Sequence, residues 1–327
     1  MSTRRLLLAF AASASLVLAA CGADDGRSAS SAGGPDVVAT TTIAGDLVRN
    51  VAGDRAEVTT VLPENADPHD YEPRPSDAKA VAEAGLVVRS GGDLDAWLDD
   101  VVDNAGSDAT KVTLIDAVQT RKGGHDHDEE GHSEEEHAEE EVDPHWWQDP
   151  ANAVLAVEAI RAALVKADPA GAATYDANAK AYTAKLQALD KAIAACMDGI
   201  PAAQRKLVTN HDAFGYLADR YDIEVVGTVI PSLSTQSQAS AGGVTDLIRT
   251  IEAENVRTVF AENTVNQRLE RAIADRAGAE VGPPLWSDSL GDEGSTGATY
   301  LDMVRFNAAA LADGFTGTQG ACELPAG

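Results

Sequence analysis

Short runs of β-branched and aliphatic residues alternate with helix-compatible stretches after residue 35, and the same alternation returns after residue 205. Residues 36–41 read as a strand, followed by a helix through Leu47 and Val51. Segments 57–62, 86–88 and 111–115 read as further strands; Ser76 is placed to cap the helix after the second, and Gly91-Gly92 to turn the chain after the third. In the second half, 206–209, 223–226, 258–260 and 279–281 read as strands, with helices such as 244–253 and 269–277 between them. Strand and helix in strict alternation specify parallel sheets covered by helices. The expected fold class is therefore α/β, built twice; only the architecture recurs, without a residue-level repeat.

Between the halves, 151–197 is rich in Ala, Lys, Leu and Gln, all strong helix formers. Asp168-Pro169 interrupts it, because proline cannot continue a helix interior and disfavours the α region for the residue before it. The spacing predicts one helix ending near Ala167 and a second over 170–197, about 42 Å long. That is enough to join two lobes, so the expected organisation is a first lobe over 36–167, a linking helix over 168–198 and a second lobe over 199–327.

The first residues read as an address. Arg4 and Arg5 precede an apolar run from Leu6 to Ala20, too short for a comfortable membrane span and of signal-peptide form. Residues 1–20 are expected to be cleaved. Leu18-Ala19-Ala20-Cys21 has the pattern of a bacterial lipobox, in which the Cys21 thiol is lipidated; a plain secretory signal is the alternative. Residues 21–35, rich in Gly, Ser, Ala and Asp, then form a flexible tether. Export places the body outside the cytoplasmic membrane. Cys196 and Cys322 are there a candidate disulfide, against the alternative of two separately buried thiols.

Charge narrows the partners. The chain carries 53 acidic and 25 basic residues, a net −28, which argues against nucleic acid. The acidity is unevenly spread. Residues 123–143 hold eleven acidic side chains, no Lys or Arg, and four of the seven histidines: His125, His127, His132 and His137. Such a composition builds no core and reads as a disordered surface loop, suited to auxiliary metal contacts.

The other three histidines sit in short polar phrases: Asp67-Pro68-His69-Asp70-Tyr71, Asp143-Pro144-His145-Trp146 and Asn210-His211-Asp212-Ala213-Phe214. His211 directly follows a strand, and the carboxyl ends of strands are where open α/β sheets bind ligands. Asp288 follows another strand; Glu262, at the end of a third, is the alternative carboxylate, or an acceptor that orients a ligand histidine. Three imidazoles and one carboxylate make a tetrahedral site suited to Zn²⁺.

Pro68-His69-Asp70-Tyr71-Glu72-Pro73 with Ser76-Asp77, Asp143-Pro144-His145-Trp146 with Asp149-Pro150, His211-Asp212-Ala213-Phe214-Gly215-Tyr216 and Asp288-Ser289-Leu290-Gly291 occur in this order. The chain resembles, over nearly all its mature length, the extracytoplasmic metal-binding components (cluster A-I) of ABC importers for zinc or manganese, closest to the zinc-binding lipoproteins with a His-rich loop. The resemblance implies two Rossmann-like lobes joined by a long rigid helix. Metal would sit in the cleft, held by His69 and His145 from the first lobe and His211 and Asp288 from the second. Zinc-specific members carry a His- and acid-rich loop between the first two ligands, where 123–143 lies. Manganese sites of the family usually replace the third histidine by a carboxylate.

The expected function is capture of Zn²⁺, as transported ligand, and delivery to an ABC permease by a lipid-anchored monomer. Manganese or another divalent metal is the alternative cargo, and an exported zinc buffer or adhesin the alternative role. An enzyme is not expected: four protein ligands can close the zinc shell, and the chain has neither a His-Glu-x-x-His nor a Gly-x-Ser-x-Gly motif.

Overall fold

The structure, a computed structural model, describes residues 33–98, 100–101, 107–123 and 141–325. Cys21, His125, His127, His132 and His137 lie outside the described residues.

The first sheet is parallel, with strand order β2-β1-β3-β4: β1 (Asp36–Ala39), β2 (Glu57–Thr60), β3 (Leu86–Arg89) and β4 (Thr110–Thr113). Helix α1 (Thr42–Ala52) starts directly after β1, where the Thr41 hydroxyl accepts the Ala44 N–H at 3.2 Å. Two sequence expectations are corrected in this lobe. Helix α2 (Pro75–Glu83) is capped at Arg74 rather than Ser76. Pro75, whose fixed φ suits the first helical position, sets the start two residues early, and the Asp77 carboxylate accepts the Arg74 N–H at 2.6 Å. The fourth strand stops at Thr113 instead of Ile115, because Leu114 and Ile115 turn under the sheet into a 3₁₀ turn and are buried there.

The second sheet contains β5 (Lys206–Thr209) paired with β6 (Glu224–Thr228), and β7 (Thr258–Val259) paired with β8 (Glu280–Val281), all parallel. Phe260 N–H donates to Val208 O at 2.9 Å, which sets β7 beside β5. The order across this sheet thus reads β6-β5-β7-β8. Helices α5 (Gly215–Tyr221), α6 (Ala241–Ala253), α7 (Arg268–Ala277) and α8 (Tyr300–Thr316) belong to this half of the chain.

The bridge comprises α3 (Pro150–Ala167), a 3₁₀ turn at Pro169–Gly171 and α4 (Ala172–Asp198), 27 residues or about 40 Å long. The proline places the break where the sequence put it, and α4 starts two residues later than expected because the 3₁₀ turn occupies them. Tyr175, Ala179, Tyr182, Leu186, Leu189, Ile193 and Met197 recur at intervals of three or four and form its buried stripe. One hydrophobic cluster runs along this stripe, from Leu47 in α1 to Leu207, Phe214 and Leu311 beyond it. Smaller clusters lie around Val87 and Val208 on the two sheets. The two halves therefore share a core, which resists wide separation more than a polar interface would.

Ion pairs pin both ends of the bridge. Arg55 holds Asp168 at 2.6 Å before α4, and Arg220 and the Tyr221 hydroxyl hold Asp190 near its far end. Cys196, on the last turn of α4, is disulfide-bonded to Cys322, with Cα atoms 5.7 Å apart. Of the two readings left open by the cysteine count, pairing is the one the fold adopts. Among the described residues no helix is long and apolar enough to cross a membrane.

Candidate metal centre

Two copies of the same local device present the first two histidines. In Asp67-Pro68-His69 and in Asp143-Pro144-His145, the aspartate Oδ1 accepts the N–H of the histidine two residues on, at 2.9 Å in each case. The intervening proline has no N–H to compete and fixes φ, so the turn is stiff. Asp143 does more: its Oδ1 lies 2.8 Å from His145 Nδ1, leaving Nε2 to face the site. Asp143 is itself held at Oδ2 by Arg121 Nη1, at 2.9 Å.

His211 is presented from the second lobe by Glu262. Because β7 runs beside β5, the residues just past the two strands meet. Glu262 Oε1 accepts the N–H groups of Asn210 and His211 at 3.1 and 3.0 Å, and Oε2 lies 2.6 Å from His211 Nδ1. His211 Nε2 is thereby the nitrogen that faces inward. Asp288, beyond β8, completes the group: its Oδ1 is 3.5 Å from His145 Nε2 and its Oδ2 3.5 Å from His211 Nε2.

One ligand atom from each of His69, His145, His211 and Asp288 lies within 4.8 Å of all the others. His145 Nε2 is 3.4 Å from the Nε2 atoms of both His69 and His211. His145, His211 and Asp288 are fully buried, whereas His69 is partly exposed. Asp288 Oδ1 is buried without a hydrogen-bond partner, a costly arrangement in an isolated protein and an apt one for a metal ligand. The donor set and the orphaned oxygen fit a divalent cation.

The electrostatics are those of a site waiting for positive charge. Burial and the neighbouring imidazoles of His145 and His211 push His69 down to about 2, so it is neutral throughout the ordinary pH range. Burial also disfavours the charged form of His211, but the carboxylates of Glu262 and Asp288 outweigh it and raise the group to about 9. Glu262 is correspondingly held below its usual range by His211, against the effect of burial. Burial raises Asp288, opposed by His211 and His145. In the metal-free protein, the charged His211 contributes stability that is complete below its ordinary value of 6.5 and is lost as pH rises through about 9.

Asp288 stands among the inward-facing nitrogens, whereas Glu262 lies behind His211, against its Nδ1. Asp143 was present in the sequence motif without a role; its signal was the spacing shared with Asp67, two residues before a histidine and across a proline. It also marks where the acidic loop must end. Gly123 N–H donates to Glu141 O at 2.9 Å, and Lys122 bridges Val142, so 141–143 belong to the framed site rather than to the loop.

Residues 37–314 match the family described as ZnuA, zinc-uptake complex component A, periplasmic. The chain is 32% identical over 303 residues to the manganese-binding lipoprotein MntA of Halalkalibacterium halodurans, covering 92% of this chain and 95% of that protein. It is 32% identical over 281 residues to the iron-binding protein YfeA of Yersinia pestis, covering 85% and 86%. Among solved structures, the periplasmic zinc-binding protein TroA of Treponema pallidum superposes with a TM-score of 0.76 at 27% identity, over 86% of this chain and 99% of that one. With the two-lobed α/β fold and a buried His/carboxylate cluster in place, these matches identify the chain as a member of the ZnuA family, the extracytoplasmic metal-binding components of ABC transporters, which carry a metal rather than catalyse a reaction.

Proposed function

We propose that this protein captures Zn²⁺ outside the cytoplasmic membrane and delivers it to an ABC permease, with His69, His145, His211 Nε2 and Asp288 as the four ligands. The observation that carries this reading is the convergence of three imidazoles and a single carboxylate on one buried point. Neutral nitrogen donors suit Zn²⁺ better than Mn²⁺, which favours more oxygen, and His211 occupies the position where manganese-binding members usually carry a carboxylate. The reading also takes the chain to be a monomer tethered through lipidated Cys21, with its acidic, His-bearing loop concentrating cations near the site. Manganese or iron as cargo is the second reading, favoured by the names of the two relatives. Metal analysis of the protein purified from its native host decides between them: zinc at one equivalent supports the proposal, and manganese or iron in its place overturns it.

Proton release gives a second check. Zinc needs His211 without its proton, and in the metal-free protein that proton is held up to about pH 9. Calorimetry at pH 7.5 in buffers of different ionisation enthalpy should therefore show one proton released by His211 for each cation bound, and none from His69. Affinity should climb about tenfold per pH unit between 7 and 9. The two carboxylates around His211 place this window above the ordinary histidine range. A pH-independent affinity across this window would contradict the arrangement.

Removing the acidic loop should leave tight binding intact, provided the cut respects the frame. Deleting 124–140 keeps Asp143 against His145, and Gly123 and Glu141 are close enough to be rejoined by a short turn. Zinc affinity in chelator competition should stay within about threefold of the full chain, whereas a cut extended through Asp143 should cost roughly 10–100-fold.

A further inference from the structure

The chain around Asp288 belongs to the second lobe by sequence, yet its backbone is also gripped by the first. Ser287 O accepts from Trp147 Nε1 and from Gln148 Nε2, both at 2.8 Å. On the other side of the carboxylate, Leu290 N–H donates to Thr42 Oγ1 at 2.8 Å, and Leu290 O accepts the Asn65 N–H at 2.9 Å. From the second lobe, the Asn307 side chain accepts the Trp286 N–H at 2.9 Å and donates to Trp286 O at 2.7 Å, and a further grip comes from Asn263. Its side chain accepts the Ser287 N–H at 3.1 Å and donates to Ser289 O at 3.5 Å. Within two residues of Asp288, four hydrogen bonds of good length therefore bind the backbone to the first lobe, and three of good length and one at the limit bind it to its own. Thr42, Trp147 and Gln148 are buried, so these bonds are shielded from water.

We propose that Thr42, Trp147 and Gln148 are positioning residues for Asp288: the first lobe shares with the second in setting where this carboxylate stands. This rests on Asp288 being a ligand, as argued above. A cation then meets two donors placed by the first lobe, His69 and His145, one placed by the second, His211, and one, Asp288, held by both. Any parting of the lobes strains the carboxylate arm from both ends.

The test is a double-mutant cycle on zinc affinity, measured by chelator competition. Thr42→Val removes the acceptor for Leu290 N–H at nearly constant volume, and Gln148→Met removes one of the two donors to Ser287 O. Each is made in the natural chain and again with Asp288→Asn. Each should weaken binding roughly 10–100-fold in the natural chain, the range for groups that orient a ligand. With Asp288→Asn in place each should change it less than about twofold, because a residue acting through Asp288 has nothing left to position. Thr42→Ser, which keeps the hydroxyl, should restore affinity to within about threefold of the natural chain. An equal loss in both backgrounds, or no loss in either, overturns the proposal while leaving the ligand set standing. Natural affinity in Asp288→Asn alone overturns the ligand assignment, and the proposal with it.

Discussion

His211→Ala should abolish tight zinc binding, lowering affinity by more than the roughly 100-fold at which loss of an orienting group is capped. The substitution removes the inward Nε2 and also the partner of Glu262 Oε2, which sits 2.6 Å from Nδ1. Glu262 is fully buried, so the variant must either protonate it or hold an uncompensated charge, a cost of about 3–5 kcal/mol when a buried pair is broken. Two readouts follow. Isothermal calorimetry should show no high-affinity site, and the metal-free variant should melt earlier than the natural chain at neutral pH. Its melting temperature should also lose the decline between about pH 7 and 9 that titration of His211 produces in the natural chain. Unchanged tight binding in the variant would sink the site assignment.

Replacing both Cys196 and Cys322 by Ser should give the largest loss of stability with the smallest loss of affinity. The bridge closes a separation of 126 residues, running from the last turn of α4 through the whole second lobe. In the chain-entropy model a loop of that size contributes about 5 kcal/mol. The corresponding fall in melting temperature is on the order of 10 °C. Zinc affinity should stay within about threefold, because the bonds that fix the four donors come from Asp67, Asp143, Glu262 and the contacts around Ser287 and Leu290. A shift below about 2 °C would show that the shared core, not the bridge, holds the C-terminal segment to α4.

Much of this molecule is legible in its sequence, for a physical reason in each case. Strands β1, β3 and β5 stand out because they are buried apolar runs, and the break before α4 because proline allows nothing else. Strands β7 and β8 are only two residues long, so the sequence overextended them; their ends are set by side-chain demands such as Glu262 reaching under His211. The donors were visible because histidine is scarce in this chain and each one sits in a turn phrase. Sequence offered an orienting role for Glu262 as one of two readings, but not which imidazole it holds, nor any role for Asp143. Asp143 and Glu262 are 2 and 51 residues from the imidazoles they orient. Thr42 lies 248 residues from Leu290 and acts on a backbone N–H, which leaves no mark on the identity of its partner.

The unequal burial of the donors has a kinetic consequence. An aqueous cation arrives wearing a shell of water and must trade it piece by piece. His145, His211 and Asp288 are sealed from solvent, and His69, carried on a 3₁₀ turn, is the one imidazole among the described residues that solvent reaches. Burial and the imidazoles of His145 and His211 hold it neutral through the ordinary pH range, so it offers its lone pair without first shedding a proton. The order of events is built into that asymmetry. With the four donors as ligands, His69 would be the first to replace a water at the threshold and, on release, the last to let go.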